Sequence, residues 1–132
     1  MTAISAVLGL WLDRPPLEAL ATAQVADEMG YPELWIGEMA TFDVFALATA
    51  VAARTHRIPL TLGPLATAVR TPATMAMGVA SVAALTGRTV NLAIGSSSAA
   101  VVESWHGRPA RAAGARLEET AAAVRPLLTG ER

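Results

Sequence analysis

The feature that most constrains this chain is a strand followed by a helix, repeated four times within 132 residues. Such alternation is typical of parallel α/β folds, in which each helix returns the chain to the start of the next strand. A complete barrel of eight such units needs about 250 residues. The four units therefore predict one domain over residues 1–132, with the fold of half a (β/α)8 TIM barrel.

The apolar runs predict strands at 7–12, 34–37, 58–63 and 89–95. Helices are predicted after each strand, with Asp43 and Thr71 as amino-terminal caps and Gly30 and Gly87 as left-handed stops. In the first helix, the larger apolar residues recur at helical spacing and predict the face that packs on the sheet. These residues are Leu17, Leu20, Val25 and Met29, together with Ala21.

The fourth strand alternates between larger and smaller residues. Val90, Leu92 and Ile94 point to one side, and Asn91, Ala93 and Gly95 point to the other. This pattern suits a strand that is buried on both faces with its smaller side toward the inside of a barrel. An open, doubly wound sheet uses the same strand and helix units and stays open as the alternative.

Composition narrows the functional classes. With 10 Lys and Arg against 11 Asp and Glu, the formal net charge of -1 gives no attraction to nucleic acid or to an anionic membrane, so a small-molecule substrate is expected. Every apolar stretch ends before the roughly 18 residues of a membrane span. The chain has no cysteine and only two histidines, which argues against thiol catalysis and a metal site. The amino terminus lacks the basic start of a secretory signal, so a cytoplasmic location is expected.

Several short motifs together resemble the bacterial luciferase-like oxidoreductases, and among these most closely the enzymes that use the deazaflavin coenzyme F-420. The motifs are Leu8-Gly9-Leu10-Trp11, Trp35-Ile36-Gly37-Glu38, Gly63 through Arg70-Thr71-Pro72, Gly87-Arg88, Ala93-Ile94-Gly95-Ser96 and Trp105-His106-Gly107. The resemblance covers the whole chain but only the amino-terminal half of such an enzyme. It implies a (β/α)8 barrel that transfers a hydride between F-420 and a small organic substrate. FMN-dependent monooxygenation is the alternative within the same fold.

Candidate site residues lie where the predicted strands end, because barrels of this kind bind ligands at the carboxyl ends of their strands. Glu38 ends the second strand, where a carboxylate could serve as a catalytic acid or base. Relatives with an acid followed by histidine here differ from this chain, which has Met39. Trp11 ends the first strand and is predicted to line the cofactor pocket.

Two further segments are predicted to contact the cofactor. The resemblance implies that Gly63-Pro64 forms a cis peptide behind the cofactor ring, whereas an ordinary trans bond is the alternative. After the fourth strand, Gly95-Ser96-Ser97-Ser98 could offer N–H groups and hydroxyls to a polar ligand group. A simple turn with a serine helix cap explains the same residues.

A half barrel leaves unpaired edges on its first and last strands. We therefore expect association through these edges, most simply as a homodimer. Barrels commonly bind phosphate through the loops after strands seven and eight, so this chain alone should bind the cofactor weakly and show feeble activity. A non-catalytic module that associates with another chain stays open as a third function.

Overall fold

The computed structural model describes residues 3–9, 14–15, 17–38 and 42–130. Its elements, in chain order, are β1 (Ala6–Val7), α1 (Glu18–Glu28), β2 (Leu34–Ile36), α2 (Val44–Ala52), β3 (Leu60–Ala66), α3 (Pro72–Thr86), β4 (Val90–Gly95), a π-helix (Ala100–Trp105) and α4 (Ala113–Thr129). Trp11, a predicted pocket residue, lies outside the described residues. Within the described ranges, every helix is too short or too polar to cross a membrane.

The helices begin and end where the local sequence predicts. The carboxylate of Asp43 accepts hydrogen bonds from the N–H groups two and three residues on, both at 3.0 Å, and so caps α2. The Thr71 hydroxyl accepts the corresponding bond at 3.2 Å at the start of α3. Gly30 and Gly87 follow α1 and α3 with φ of +74° and +67°, a conformation that glycine adopts without steric cost.

All four strands are parallel, and each pairs with its neighbour in chain order, β1-β2-β3-β4. A doubly wound sheet reverses its strand order at a switch point, and the described strands contain no reversal. The prediction of half a TIM barrel is therefore confirmed, and the open-sheet alternative is wrong.

The core lies between the sheet and the helices. Leu34, Ile36, Leu60 and Leu62 are fully buried on the helix-covered side of β2 and β3. In the register of the sheet, Leu34 lies opposite Leu60 and Ile36 opposite Leu62, so these side chains form two adjoining rows. Because both strands direct their large aliphatic residues to this side, the alternate positions point to the opposite face of the sheet.

The predicted packing face of α1 is largely wrong. Its buried residues are small, Ala19, Ala23 and Ala26, whereas Leu17 and Met29 are 72% and 69% exposed. The remaining predicted residues divide, since Val25 and Ala21 are exposed and Leu20 is partly buried against the core.

The buried carboxylate of Asp27 explains why α1 turns a different face to the sheet from the one predicted. It accepts backbone N–H bonds from three consecutive residues, His56, Arg57 and Ile58, at 2.6, 3.2 and 2.8 Å. An unpaired buried carboxylate would be costly, so these bonds hold the Asp27 face of the helix inward. The neighbouring alanines are small enough for the helix to lie close to the sheet.

Candidate functional site

A cavity of about 690 Å³ opens at the carboxyl ends of β2 and β3, beside the loop that follows β4. Its walls combine apolar and polar side chains. The apolar ones are Phe42, Pro64, Ala66, Val69, Val101 and Trp105. The polar ones are Glu38, Asp43, Arg70, Thr71, Thr74, Ser97 and His106.

Arg70 joins two carboxylates at one side of the cavity. Its Nε donates to Oε2 of Glu38 at 2.8 Å, and its Nη2 donates to Oε1 of the same carboxylate, so the pair is bidentate. The same Nη2 also donates to Asp43. Oε1 of Glu38 further accepts the N–H of Val44 at 3.4 Å. Both oxygens of the predicted catalytic carboxylate are therefore engaged within the protein.

The charges of this cluster stabilise one another. The Glu38 hydrogen bond raises the pKa of Arg70 most, burial opposes the rise, and Asp43 adds to it. Burial works to raise the pKa of Asp43, but the N–H of Ala46 and the Arg70 guanidinium together hold it below its ordinary value. At neutral pH the cluster contains two carboxylates and one guanidinium, a formal charge of one negative unit.

An aromatic ring on α2 supports the guanidinium. Arg70 lies over the ring of Phe45, with 4.8 Å between its Cζ and the ring centroid. The far edge of that ring packs against Gly78 on α3, where an added Cβ would lie 2.4 Å from the Cζ of Phe45. The absent side chain at Gly78 thus makes room for the ring that contacts Arg70.

An irregularity within β3, between Leu62 and Leu65, forms one wall of the cavity. The Gly63-Pro64 peptide bond is cis, as the resemblance implied. Pro64 lines the cavity directly, and Gly63 is buried behind it. An added Cβ on Gly95 would lie 3.0 Å from the Cβ of Pro64, so the two strands approach closely here. Gly63 and Gly95 shape this wall through the lack of a side chain.

In the serine loop after β4, one serine lies in the cavity wall, as predicted for a ligand contact, and another accepts hydrogen bonds at a helix start, as predicted for a cap. Ser97 lines the cavity and has a φ of +62°. Ser98 instead lies two residues before the π-helix, where its hydroxyl accepts the N–H of Val101 at 3.3 Å and its carbonyl oxygen accepts the N–H of Val102 at 3.0 Å. Ser96 is exposed and does not line the cavity.

Sequence reasoning missed several wall residues. Arg70 was visible only as part of a motif, and Asp43 only as a helix cap. Trp105 ends the π-helix and His106 follows it, well after β4, and a single aromatic or histidine there carries no periodic signal. A carboxylate at a strand end followed by an arginine in the next strand-to-helix loop could have predicted the ion pair.

A parallel half barrel with a cavity at the carboxyl ends of its strands belongs to the class of α/β barrels that bind their ligands at that end. A family model described as luciferase-like monooxygenase matches residues 5–132. The chain therefore belongs to the luciferase-like monooxygenase family. A comparison with curated protein sequences gives no match.

Solved structures share this fold at low sequence identity. Monooxygenase RslO1 from Streptomyces bottropensis aligns with a TM-score of 0.79 and 21% identity, over 95% of this chain and 42% of its own. EDTA monooxygenase from Chelativorans sp. BNC1 aligns with 0.76 and 19%, over 94% and 37%. The oxygenating constituent of 3,6-diketocamphane monooxygenase from Pseudomonas putida, solved with FMN, aligns with 0.71 and 17%, over 92% and 39%. The chain thus spans about two fifths of each of these structures.

Proposed function

We propose that this chain forms the amino-terminal half of a flavin-dependent monooxygenase site and that its cavity binds the ring of FMN. The observation that carries the proposal is the cavity beside Pro64 and Ser97, at the carboxyl ends of the strands, in a chain of the luciferase-like monooxygenase family. A structural neighbour solved with FMN supports the choice of cofactor. Coenzyme F-420 is the second candidate, because the sequence motifs resemble the enzymes that use it.

The chemistry of the walls fits a flat heteroaromatic ring. Pro64, Val69 and Trp105 offer apolar surface, and Ser97 offers a hydroxyl that can donate to a ring nitrogen or oxygen. The Thr74 hydroxyl already donates to the carbonyl oxygen of Thr71 at 2.9 Å, so it can only accept a hydrogen bond from a ligand. Bound reduced FMN would supply electrons to molecular oxygen, whereas bound F-420 would exchange a hydride with the substrate.

The protein's own residues would position the ring and exclude water from it. We propose that Gly63, Pro64 and Gly95 form the surface against which the ring packs, with Ser97 at its polar edge. Ser96 and Ser98, predicted from the sequence as ligands, stay predictions that lack a place in the cavity wall. Trp11 stays a predicted contact.

For Glu38, predicted from the sequence as a catalytic residue, we propose a role through its ion pair with Arg70. Since both of its oxygens bond to Arg70, Glu38 is proposed to position the guanidinium and to exchange a proton only when that pair opens. The cluster's negative charge and the apolar walls favour a neutral organic substrate over an anionic one.

A parallel fluorescence titration with oxidised FMN and oxidised F-420 tests the proposal. We expect saturable but weak binding of FMN, with a Kd above about 1 μM, because this half of the barrel lacks the usual phosphate loops. Val69→Trp adds a bulky ring to the cavity wall and should weaken binding at least about tenfold, a change of about 1.4 kcal/mol. Ala73→Trp adds the same ring on an exposed position of α3 and is the matched control.

The outcomes separate the candidates. Preferential binding of F-420, lost in Val69→Trp, would favour the hydride-transfer function. Binding of either cofactor that is equal in the wild type and in Val69→Trp would place the ligand outside this cavity and overturn the proposal.

A further inference from the structure

The face of the sheet away from the helices, here called the inner face, carries one carboxylate with donors from all four strand segments. Ser5 Oγ and Trp35 Nε1 donate to Oε2 of Glu33 at 3.2 and 2.6 Å. Thr61 Oγ1 and Asn91 Nδ2 donate to Oε1, the latter at 3.5 Å. The five residues form a single polar cluster, the Glu33 cluster, that links the segments of β1, β2, β3 and β4.

The Glu33 carboxylate is ionised and has no ion-pair partner within the part of the chain that the structure describes. The Thr61 hydrogen bond lowers its pKa most, partial burial opposes this, and the bonds from Trp35, Ser5 and Asn91 lower it further. Among the described residues, the ion pairs are Arg14–Glu18, Arg70–Glu38 and Arg70–Asp43, so none involves Glu33. The inner face therefore presents a localised negative charge.

Parts of the inner face near the edge strands are accessible. Val7, on β1, is 67% exposed, and the Asn91 side chain on β4 is exposed as well. In a closed barrel this face is the interior and is filled by layers of side chains. Closing the barrel over Glu33 would remove water from a carboxylate whose four hydrogen-bond donors are all neutral, which is unfavourable unless a cation lies nearby.

We propose that the inner face docks a second half barrel that presents an arginine or lysine side chain to Glu33. The negative charge of Glu33 indicates the chemistry of the partner. A cationic side chain would offset the loss of water around the carboxylate, whereas an apolar one would not. This proposal is independent of which cofactor the cavity binds, because the Glu33 cluster lies at the amino-terminal end of β2 and the cavity lies at the opposite end.

A second copy of this chain fits less well. In an eight-stranded barrel each layer of side chains comes from alternate strands, so the second and sixth strands contribute to the same layer. If two copies closed one barrel about a twofold axis, β2 of the partner would take the sixth place. Glu33 would then face its own equivalent, and like charges in a barrel interior repel strongly. The homodimer predicted from the open strand edges is therefore disfavoured across the inner face.

A charge-swap experiment tests this inference. Glu33→Lys converts one copy into a half barrel that presents a cation at the required position. Sedimentation velocity should show that an equimolar mixture of wild type and Glu33→Lys forms a heterodimer at least about tenfold tighter than either protein alone. Because this charge pair would lie in the barrel interior, raising the salt concentration should change the affinity of the heterodimer little.

Glu33→Gln serves as the second variant, since its amide oxygen can replace one of the two accepting carboxylate oxygens and its neutral side chain removes the repulsion. It should self-associate more tightly than the wild type, and circular dichroism checks that each variant is folded. A mixture no tighter than the wild type alone would overturn the proposal. So would a tight wild-type dimer that Glu33→Gln leaves unchanged, because association would then run through the strand edges or another surface.

Discussion

Replacement of Gly63 by alanine should disrupt the junction between β3 and β4 and destabilise the whole half barrel. The φ of Gly63 is +127°, a conformation that residues with a side chain rarely adopt. An added Cβ would lie 2.2 Å from the carbonyl oxygen of Ala93 and 2.7 Å from the backbone nitrogen of Leu65. Both neighbours are backbone atoms of paired strands, so neither can rotate away as a side chain could.

The expected loss combines two effects. Backbone strain at such a conformation costs about 1–3 kcal/mol. Overpacking in a tightly packed site adds about 1–3 kcal/mol. We therefore expect the free energy of unfolding to fall by about 4 kcal/mol, a large part of the 5–15 kcal/mol typical of a domain. Gly87→Ala is the matched control, because φ is +67° but no atom lies within 4 Å of the added Cβ. It should cost only about 1–2 kcal/mol.

Urea unfolding followed by circular dichroism measures both losses. With a slope of about 2 kcal/mol per molar urea, Gly63→Ala should lower the midpoint by roughly 2 M, and Gly87→Ala by less than about 1 M. Equal midpoints for the two variants would refute the reasoning, because they would show that the close approach of Ala93 adds nothing to the backbone strain. A normal midpoint for Gly63→Ala would show that β4 shifts without cost.

Two further substitutions test the supports of the fold and the site. Gly78→Ala should displace the ring of Phe45, whereas Gly114→Ala adds the same methyl group to α4 in open space and is the matched control. Thermal unfolding should show that the Gly78→Ala variant is less stable than the Gly114→Ala variant by about 1–3 kcal/mol. Equal stability of the two variants would contradict the close packing of Gly78 and Phe45. Asp27→Asn should cost about 1.5–3 kcal/mol at neutral pH through weaker bonds to three backbone N–H groups, whereas the exposed Glu28→Gln should cost little. Burial works to raise the pKa of Asp27, but these N–H bonds hold it below 3.8, so its stabilisation is present above that pH and is lost as the pH falls below it. Denaturant midpoints between pH 7 and pH 2 measure the loss of stability of the wild type and of Asp27→Asn. An equal loss in the two proteins would contradict the proposed stabilisation by ionised Asp27.

Helix caps and element order were accessible to sequence reasoning because they depend on neighbouring residues. Asp43 and Thr71 bond to N–H groups within three positions, and Gly87 supplies a backbone conformation that its own lack of a side chain permits. The site was predicted only in outline. The carboxyl ends of β2 and β4 lie within one residue of their predicted positions, whereas β3 runs to Ala66 rather than to Gly63. The bond from Arg70 to Glu38 spans 32 positions and has no local signature.

By itself, the sequence determined the parallel α/β class, the four strand and helix units and the family resemblance, since each depends on periodicity, composition or short motifs. Tertiary structure decided which face of α1 is buried, through the bonds from Asp27 to residues about 30 positions away. It also decided that Glu38 pairs with Arg70, and that Glu33 gathers donors from all four strand segments. The physical reason is the same in each case. A buried or partly buried carboxylate needs hydrogen-bond donors, and here the tertiary structure supplies them from residues that are distant in the sequence. A local sequence pattern does not predict such contacts.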